Sequence, residues 1–194
     1  MKKIITISRE FGAGGGEIGQ AVSKKLNYEY YDKELIFQTA RCSNVNIESI
    51  IKWDEKVPID FGFTQSLFDF YNKPLNEKLF QIQSDTIMKI AEKGKCVIVG
   101  RNANSILKEF DSALHVFICA DLHWRVKRME GKMSGELKNK TAEEVRDVDK
   151  TRKKYCSYYT DSEFGVAKYY DICLNTSTLG IERCIDLICD MAGE

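Results

Sequence analysis

Short apolar runs alternate along the chain with stretches in which apolar residues recur every three or four positions, and that alternation sets the expected elements. Lys3 to Ser8 holds the β-branched run Ile-Ile-Thr-Ile and predicts a strand. It flows into the glycine turn Phe11-Gly-Ala-Gly-Gly-Gly16 and then a helix, with Ile18, Ala21, Val22 and Leu26 on one face and Asn27 as its end signal. Tyr28 to Tyr31 predicts a second short strand, and Asp32 is placed to cap a helix running through Glu34 to Ala40. From Ile47 to Lys93 the pattern is helical, punctuated by Pro58, Gly62 and Pro74. Leu75, Leu79, Ile82, Thr86 and Ile90 fit one long helix that starts near Asn72.

The continuous apolar runs Cys96 to Gly100 and Leu114 to Cys119 read as parallel strands buried on both faces. A helix from Asp121 to Glu130 follows, then a last strand from Tyr170 to Leu174. A closing helix from Ile181 to Met191 carries Ile181, Cys184, Ile185 and Ile188 on one face. The order predicts an α/β fold, a parallel sheet wrapped by helices.

Length and composition narrow the class. A chain of 194 residues, 43% hydrophobic and 30% charged with two prolines, is expected to form one globular domain spanning residues 1–194. Lys plus Arg balances Asp plus Glu at 29 each, so no global field favours nucleic acid or an anionic membrane. Charge is local instead: His123 to Lys154 holds eleven basic against six acidic residues, which reads as a solvated helix or as a surface that meets a polyanion. The seven cysteines form no Cys-x-x-Cys pair, and Cys96, Cys119, Cys173 and Cys189 lie in or beside apolar runs as small core residues do. No signal peptide and no apolar run of membrane-spanning length is present, so a cytoplasmic location is expected. His115 reads as a core histidine with a satisfied hydrogen bond, and the two histidines propose neither a metal site nor a catalytic triad.

The candidate chemistry lies in the turn Ser8-Arg-Glu-Phe-Gly-Ala-Gly-Gly-Gly16. A glycine turn between strand and helix aims backbone N–H groups and the positive helix end at one point, which suits a phosphate. The full phosphate-binding motif continues with a lysine for the β and γ phosphates and a hydroxyl for magnesium. Here Gly15 stands where the lysine belongs, followed by Gly16 and Glu17. Such loops also serve only to turn a corner, so the loop alone leaves phosphate binding open. Arg9 is the cation nearest in sequence to replace the lysine. Ser8 and Glu17 are candidates for contact with a metal or for loop capping.

Four segments carry a family resemblance. Ile5-Thr-Ile-Ser-Arg-Glu-Phe-Gly-Ala-Gly14 resembles the first strand and loop of bacterial cytidylate kinases, and Asp171-Ile-Cys-Leu-Asn-Thr-Ser-Thr-Leu-Gly-Ile-Glu182 is similar to their last strand and following loop. Val99-Gly-Arg101 looks like their Gly-Arg-Asp segment, and Asp149-Lys-Thr-Arg152 like the aspartate-x-x-arginine signature of their lid. The closer resemblance is to the cytidylate kinase-like branch, in which Ser-Arg-Glu-(Phe/Tyr)-Gly-x-Gly-Gly replaces the standard loop. Members of that branch often carry an arginine where this chain has Gly16.

The resemblance implies a P-loop NTPase fold with a helical acceptor-binding insertion at roughly residues 33–93 and a basic lid at roughly 132–155. It implies ATP and Mg2+ as cofactors, nucleotide substrates, and phosphorylation of a nucleoside monophosphate, CMP or dCMP. The alternatives are a non-catalytic nucleotide-binding protein with a degenerate loop, or a small-molecule kinase with another acceptor. ATP is expected on Ser8, Gly12, Ala13, Gly14, Gly15, Gly16 and Glu17, with Asn175 and Thr176 near the adenine. Arg101 follows a buried strand, where an α/β sheet places ligand-contacting groups, and the matching family arginine holds the acceptor phosphate. Asn102 replaces the family aspartate beside it. Asp32 and Lys33 fall in the acceptor segment, Lys33 in place of a serine. Gln38 replaces a phosphate-binding arginine for which Arg41 is a substitute. Arg9, Arg152 and Asp149 are the expected catalytic group, although Asp149 and Arg152, three apart on a helix, also suit simple pairing.

Overall fold

The computed structural model describes residues 2–34, 73–132 and 142–193. Of the helix expected from Glu34 to Ala40 only Glu34 lies within them; the rest, with Gln38 and Arg41, lies outside. Five strands form one all-parallel sheet: β1 (Ile4–Arg9), β2 (Glu29–Tyr31), β3 (Cys96–Val99), β4 (Ala113–Cys119) and β5 (Ile172–Asn175). Their spatial order is β2-β3-β1-β4-β5, so β1 lies at the centre with its glycine turn at the carboxyl edge. The helices are α1 (Gly15–Leu26), α2 (Lys73–Lys93), α3 (Ala103–Ile106), α4 (Leu122–Lys132), α5 (Ala142–Tyr159), α6 (Thr176–Leu179) and α7 (Ile181–Ala192).

Side chains alternate across β1, and the alternation divides the core. Ile5 and Ile7 point to the face covered by α1 and α7, where Val97, Val99, Val116, Ile118 and Leu174 meet Ile18, Val22, Cys184, Ile185 and Ile188. Ile4 points the other way, with Cys96 and Ile98, against Ile87, Ile90 and Ala91 of α2 and Leu107 beyond α3. On that second face Thr6 Oγ1 lies 2.8 Å from His115 Nδ1, the satisfied histidine the sequence predicts, and burial pushes the His115 pKa down. Asn27 ends α1 in the left-handed region, and Asp32 Oδ1 accepts the Glu34 N–H at 3.1 Å. Cys96 and Cys189 are buried as expected, but Cys173 is exposed. It sits on the edge strand β5, whose alternation turns Leu174 inward and Cys173 out.

Helix α1 lies close on the sheet because Gly19 has no side chain. A Cβ there would stand 2.7 Å from Val99 Cγ2 and 3.2 Å from Tyr30 Cε2. At Gly16 nothing lies within 4 Å. The two glycines therefore separate packing from helix propensity, which alone favours alanine by about 1 kcal/mol. Gly19→Ala is expected to lower the melting temperature, since overpacking costs about 1–3 kcal/mol. Gly16→Ala is expected to hold or raise it. Thermal unfolding of the two variants checks this, and a rise for Gly19→Ala would mean that α1 is not held against β3.

Candidate functional site

The turn after β1 closes with one internal backbone bond, from Ala13 N–H to Glu10 O at 3.3 Å. Glycines at 12 and 14 adopt φ of 80° and 93°, the left-handed region that side chains disfavour, and Gly14 caps α1. Three successive carbonyls are then taken by side chains from elsewhere. Arg125 Nη1 donates to Phe11 O at 3.0 Å, Arg128 Nη1 donates to Gly12 O at 3.1 Å, and Thr176 Oγ1 donates to Ala13 O at 2.8 Å. The first-turn N–H groups of α1, at Gly15, Gly16 and Glu17, have no acceptor within their own helix and carry its positive end. The result is an amide face suited to an anion.

The loop is braced from α4 and α5. Asp149 Oδ1 accepts the Phe11 N–H at 2.8 Å while Asp149 Oδ2 accepts from Arg125 Nη1 at 2.6 Å, so both backbone groups of Phe11 are held by one buried ion pair. Arg125, 5% exposed, also donates through Nε to Ala120 O at 3.0 Å. Arg152 Nη1 donates to Arg9 O at 2.7 Å and its Cζ lies 5.7 Å from the centre of the Phe11 ring. Around Arg152 the helix leaves Lys150, Lys153 and Lys154 exposed and turns the arginine inward.

The place of the absent lysine is filled. A Cβ on Gly15 would lie 2.6 Å from Arg9 Cβ and 2.8 Å from Arg9 Cγ, closer than nonbonded carbons approach. The Arg9 stem thus occupies the space through which a side chain at position 15 would leave. Its guanidinium reaches the end of β3, where a Cβ on Gly100 would collide with Arg9 Nη1 and lie 3.0 Å from Cζ. Arg9 therefore spans the gap between the glycine loop and the Gly100-Arg101 segment.

That segment is strained. Gly100, Arg101 and Asn102 follow one another with φ of 83°, 59° and 55°. A left-handed non-glycine residue costs about 1–2 kcal/mol, so two in succession mark a backbone held by its surroundings. Gln83 Nε2 donates to Arg101 O at 3.4 Å, and Asn102 Nδ2 is buried with no hydrogen-bond partner among the described residues.

Like charge is gathered here. Burial, followed by the nearby Arg101 charge, pushes the Arg9 pKa down to about 10, and burial followed by Arg9 pushes Arg152 down to about 9. Both remain cationic at neutral pH, drawn together against their repulsion, with Asp149 offsetting part of it. A cleft of about 290 Å³ opens between the glycine loop, Arg9, Arg128 and Arg152. An anion entering it would relieve the repulsion and regain the field lost to burial.

Other expected site residues are placed differently. Ser8 is buried, and its Oγ donates to Asn104 Oδ1 at 3.2 Å rather than entering the cleft. Glu17 lines the cleft but is bound to Arg128 Nη2 at 2.5 Å. Asp149 is committed to the Phe11 and Arg125 brace. Asn175 Oδ1 caps α6 by accepting the Ser177 N–H at 3.0 Å, and Thr176 is spent on the loop, so at this turn the side chains serve the fold. Asp32 lies close enough to raise the Arg9 pKa, while Lys33 is helical, two residues beyond β2. Arg125, Arg128, Gln83 and Asn104 are site residues that sequence patterning does not single out. Among the described residues no group of three His, Cys, Asp or Glu is placed to hold a metal, and Gly16 has no hydroxyl. The residues present fit a magnesium ion carried on phosphate oxygens and water rather than in a protein cage.

The chain matches the cytidylate kinase-like family over residues 4–178. No curated protein matches it. Among solved structures, an uncharacterized protein from Eubacterium ventriosum is similar at 26% identity over 97% of both chains, with a TM-score of 0.72. Shikimate kinase from Bacteroides thetaiotaomicron, at 15% identity over 97% of both chains and a TM-score of 0.56, shares the fold. So does shikimate kinase from Acinetobacter baumannii in complex with shikimate, at 12% identity, 97% of this chain and 92% of the other, and a TM-score of 0.52. Among the described residues no helix is long and apolar enough to cross a membrane.

The strain at Arg101 is open to direct measurement. Arg101→Gly and Arg101→Ala remove the same guanidinium, but only glycine relaxes the left-handed backbone. The glycine variant is expected to be more stable than the alanine variant by about 1 kcal/mol in chemical denaturation. Equal stability would show that the segment is not strained in solution.

Proposed function

The chain belongs to the cytidylate kinase-like family, and from that premise we propose that it transfers the γ-phosphoryl group of ATP to the phosphate of a nucleoside monophosphate, CMP or dCMP. The observation that carries the proposal is Arg9. Its stem stands where the lysine would run, and its head lies between the donor loop and the acceptor arginine, Arg101.

In this reading the amides of Gly12 and of Gly14 to Gly16 hold the β and γ phosphates, the Ala13 N–H being donated to Glu10 O at 3.3 Å, and Mg2+ carried on the nucleotide would neutralise phosphate charge. Arg101 holds the acceptor phosphate. An acceptor phosphate oxygen attacks the γ phosphorus, the bond from phosphorus to the β-bridging oxygen breaks, and ADP leaves with that electron pair. Charge spreads over the transferring group in the transition state, and fixed cations aimed at it lower the barrier. Arg9 and Arg152 are those cations. Arg9 offers a planar fork of donors where lysine offers a point charge. Arg128, salt-bridged to Glu17 across the loop mouth, keeps that carboxylate from opposing the phosphates.

A second reading is favoured by Gly15 and Gly16, which lack both the lysine and the hydroxyl of the full motif: the loop binds nucleotide without turnover. A coupled ADP-release assay across nucleoside monophosphates and small hydroxyl acceptors separates the readings and names the acceptor. CMP- or dCMP-dependent ADP release is expected. ADP binding without release from any acceptor would favour the second reading.

Arg9→Ala is expected to lower turnover by about two to three powers of ten, the usual loss for one such group. Arg9→Lys is expected to retain more activity than Arg9→Ala. Both variants should keep the fold, since Arg9 holds its place under repulsion. Unchanged turnover in Arg9→Ala would remove the residue from the mechanism.

A further inference from the structure

Transfer requires the acceptor arginine and the lid helix to hold one arrangement, and a single buried amide touches both. Gln83 lies midway along α2 and is 2% exposed, between Ile82 and the core residues Ile87 and Ile90. A primary amide in such surroundings costs about 1–3 kcal/mol unless it is hydrogen-bonded. Its Nε2 has two protons and two partners: Arg101 O at 3.4 Å and Tyr155 Oη at 3.3 Å.

The two partners belong to the two halves of the site. Arg101 is held in the left-handed conformation and heads the proposed acceptor position. Tyr155 lies on α5, almost one turn beyond Arg152. Aromatic contacts fasten that part of α5 to α2. Phe80 stacks on Tyr159 with centroids 4.4 Å apart and planes 14° apart, and Tyr155 lies 6.4 Å from Phe80 and 4.8 Å from Tyr159. Packing alone therefore joins α5 to α2, and the amide adds a connection that packing does not supply, to a strained backbone carbonyl.

We propose that Gln83 is a positioning residue that holds Arg101 in its left-handed conformation and ties it to the helix carrying Arg152, so that an acceptor phosphate meets both guanidiniums together. The proposal rests on the kinase reading of the site. It places Gln83 away from the glycine loop, so its effect falls on the acceptor rather than on ATP.

Gln83→Met keeps length and volume and removes both donors. It is expected to raise KM for the accepting nucleotide about three- to tenfold, the loss on removing one hydrogen bond. KM for ATP and the affinity for ADP should stay unchanged. In an Arg101→Ala background the same substitution should add nothing to the acceptor KM, because Gln83 acts through Arg101. Tyr155→Phe, which deletes one oxygen, should raise the acceptor KM in the same direction. Amide hydrogen exchange over residues 100–106 is expected to speed up in Gln83→Met while exchange over residues 10–18 does not. Equal rises in both KM values, additivity with Arg101→Ala, or unchanged exchange over residues 100–106 would overturn the proposal. If the unaltered protein releases no ADP with any acceptor, the kinase reading fails on that result alone. The exchange measurement then still decides whether Gln83 holds Arg101.

Discussion

The arrangement of the site depends on a steric exclusion: the stem of Arg9 and a side chain on residue 15 cannot occupy the same space. With Cβ of a residue at 15 standing 2.6 Å from Arg9 Cβ, a cation can come from the strand or from the helix, but not from both. The same exclusion recurs at Gly100, where the guanidinium end of Arg9 fills the volume of a side chain. Gly15 is thus explained by the Arg9 stem, whereas Gly100 is required first by its φ of 83°. A glycine at 15 is what the Arg9 stem leaves room for, so its presence does not by itself mean that the site lacks a cation.

Gathering arginines around a loop costs electrostatic energy, and the fold bears it through the buried pair of Arg125 and Asp149. Their 2.6 Å contact also fixes Phe11, so the element that balances charge is the element that shapes the loop. Breaking a buried ion pair typically costs about 3–5 kcal/mol, and removing either partner here would leave only the longer contacts of Arg125 to Glu10 at 3.6 Å or of Asp149 to Arg152 at 3.8 Å. Arg152 stands farther from the same carboxylate, 3.8 Å from Asp149 Oδ1, and the pKa values of Arg9 and Arg152 fall because both are buried beside other arginines. Arg125 and Arg128 are each closely paired, with Asp149 and Glu17, whereas Arg9 and Arg152 are buried beside like charge. That concentration of buried like charge makes the cleft a candidate anion site.

Much of the fold is legible in the sequence. The runs at Ile4 to Ile7, Cys96 to Val99 and Leu114 to Cys119 read as strands because parallel strands buried on both faces need continuous apolar residues. The spacing of Ile82, Thr86 and Ile90 marks α2 for the same reason of burial. Cys173 is misread because an edge strand has one open face. The glycine loop is visible as a motif, and so is Arg101 at a strand end. The commitments of the polar side chains are not visible. A lone glutamine in a helical pattern looks solvated, yet Gln83 is among the most buried polar residues, and Asp149 and Thr176 look like ligand contacts but brace the loop. Such roles depend on which segments the topology brings together, and no local pattern carries that information.

The relocated charge is tested most directly by moving it back. ADP release should be measured for the unaltered protein, for Arg9→Ala, for Gly15→Lys, and for the double variant that carries both substitutions. Gly15→Lys alone is expected to lose activity, because a lysine at that position collides with the Arg9 stem, and Arg9→Ala alone is expected to lose it for want of a cation. The double variant should recover part of the loss, since the alanine vacates the space and the lysine restores the charge from the helix side. A Gly15→Lys variant as active as the unaltered protein, or a double variant no better than Arg9→Ala, would contradict the account.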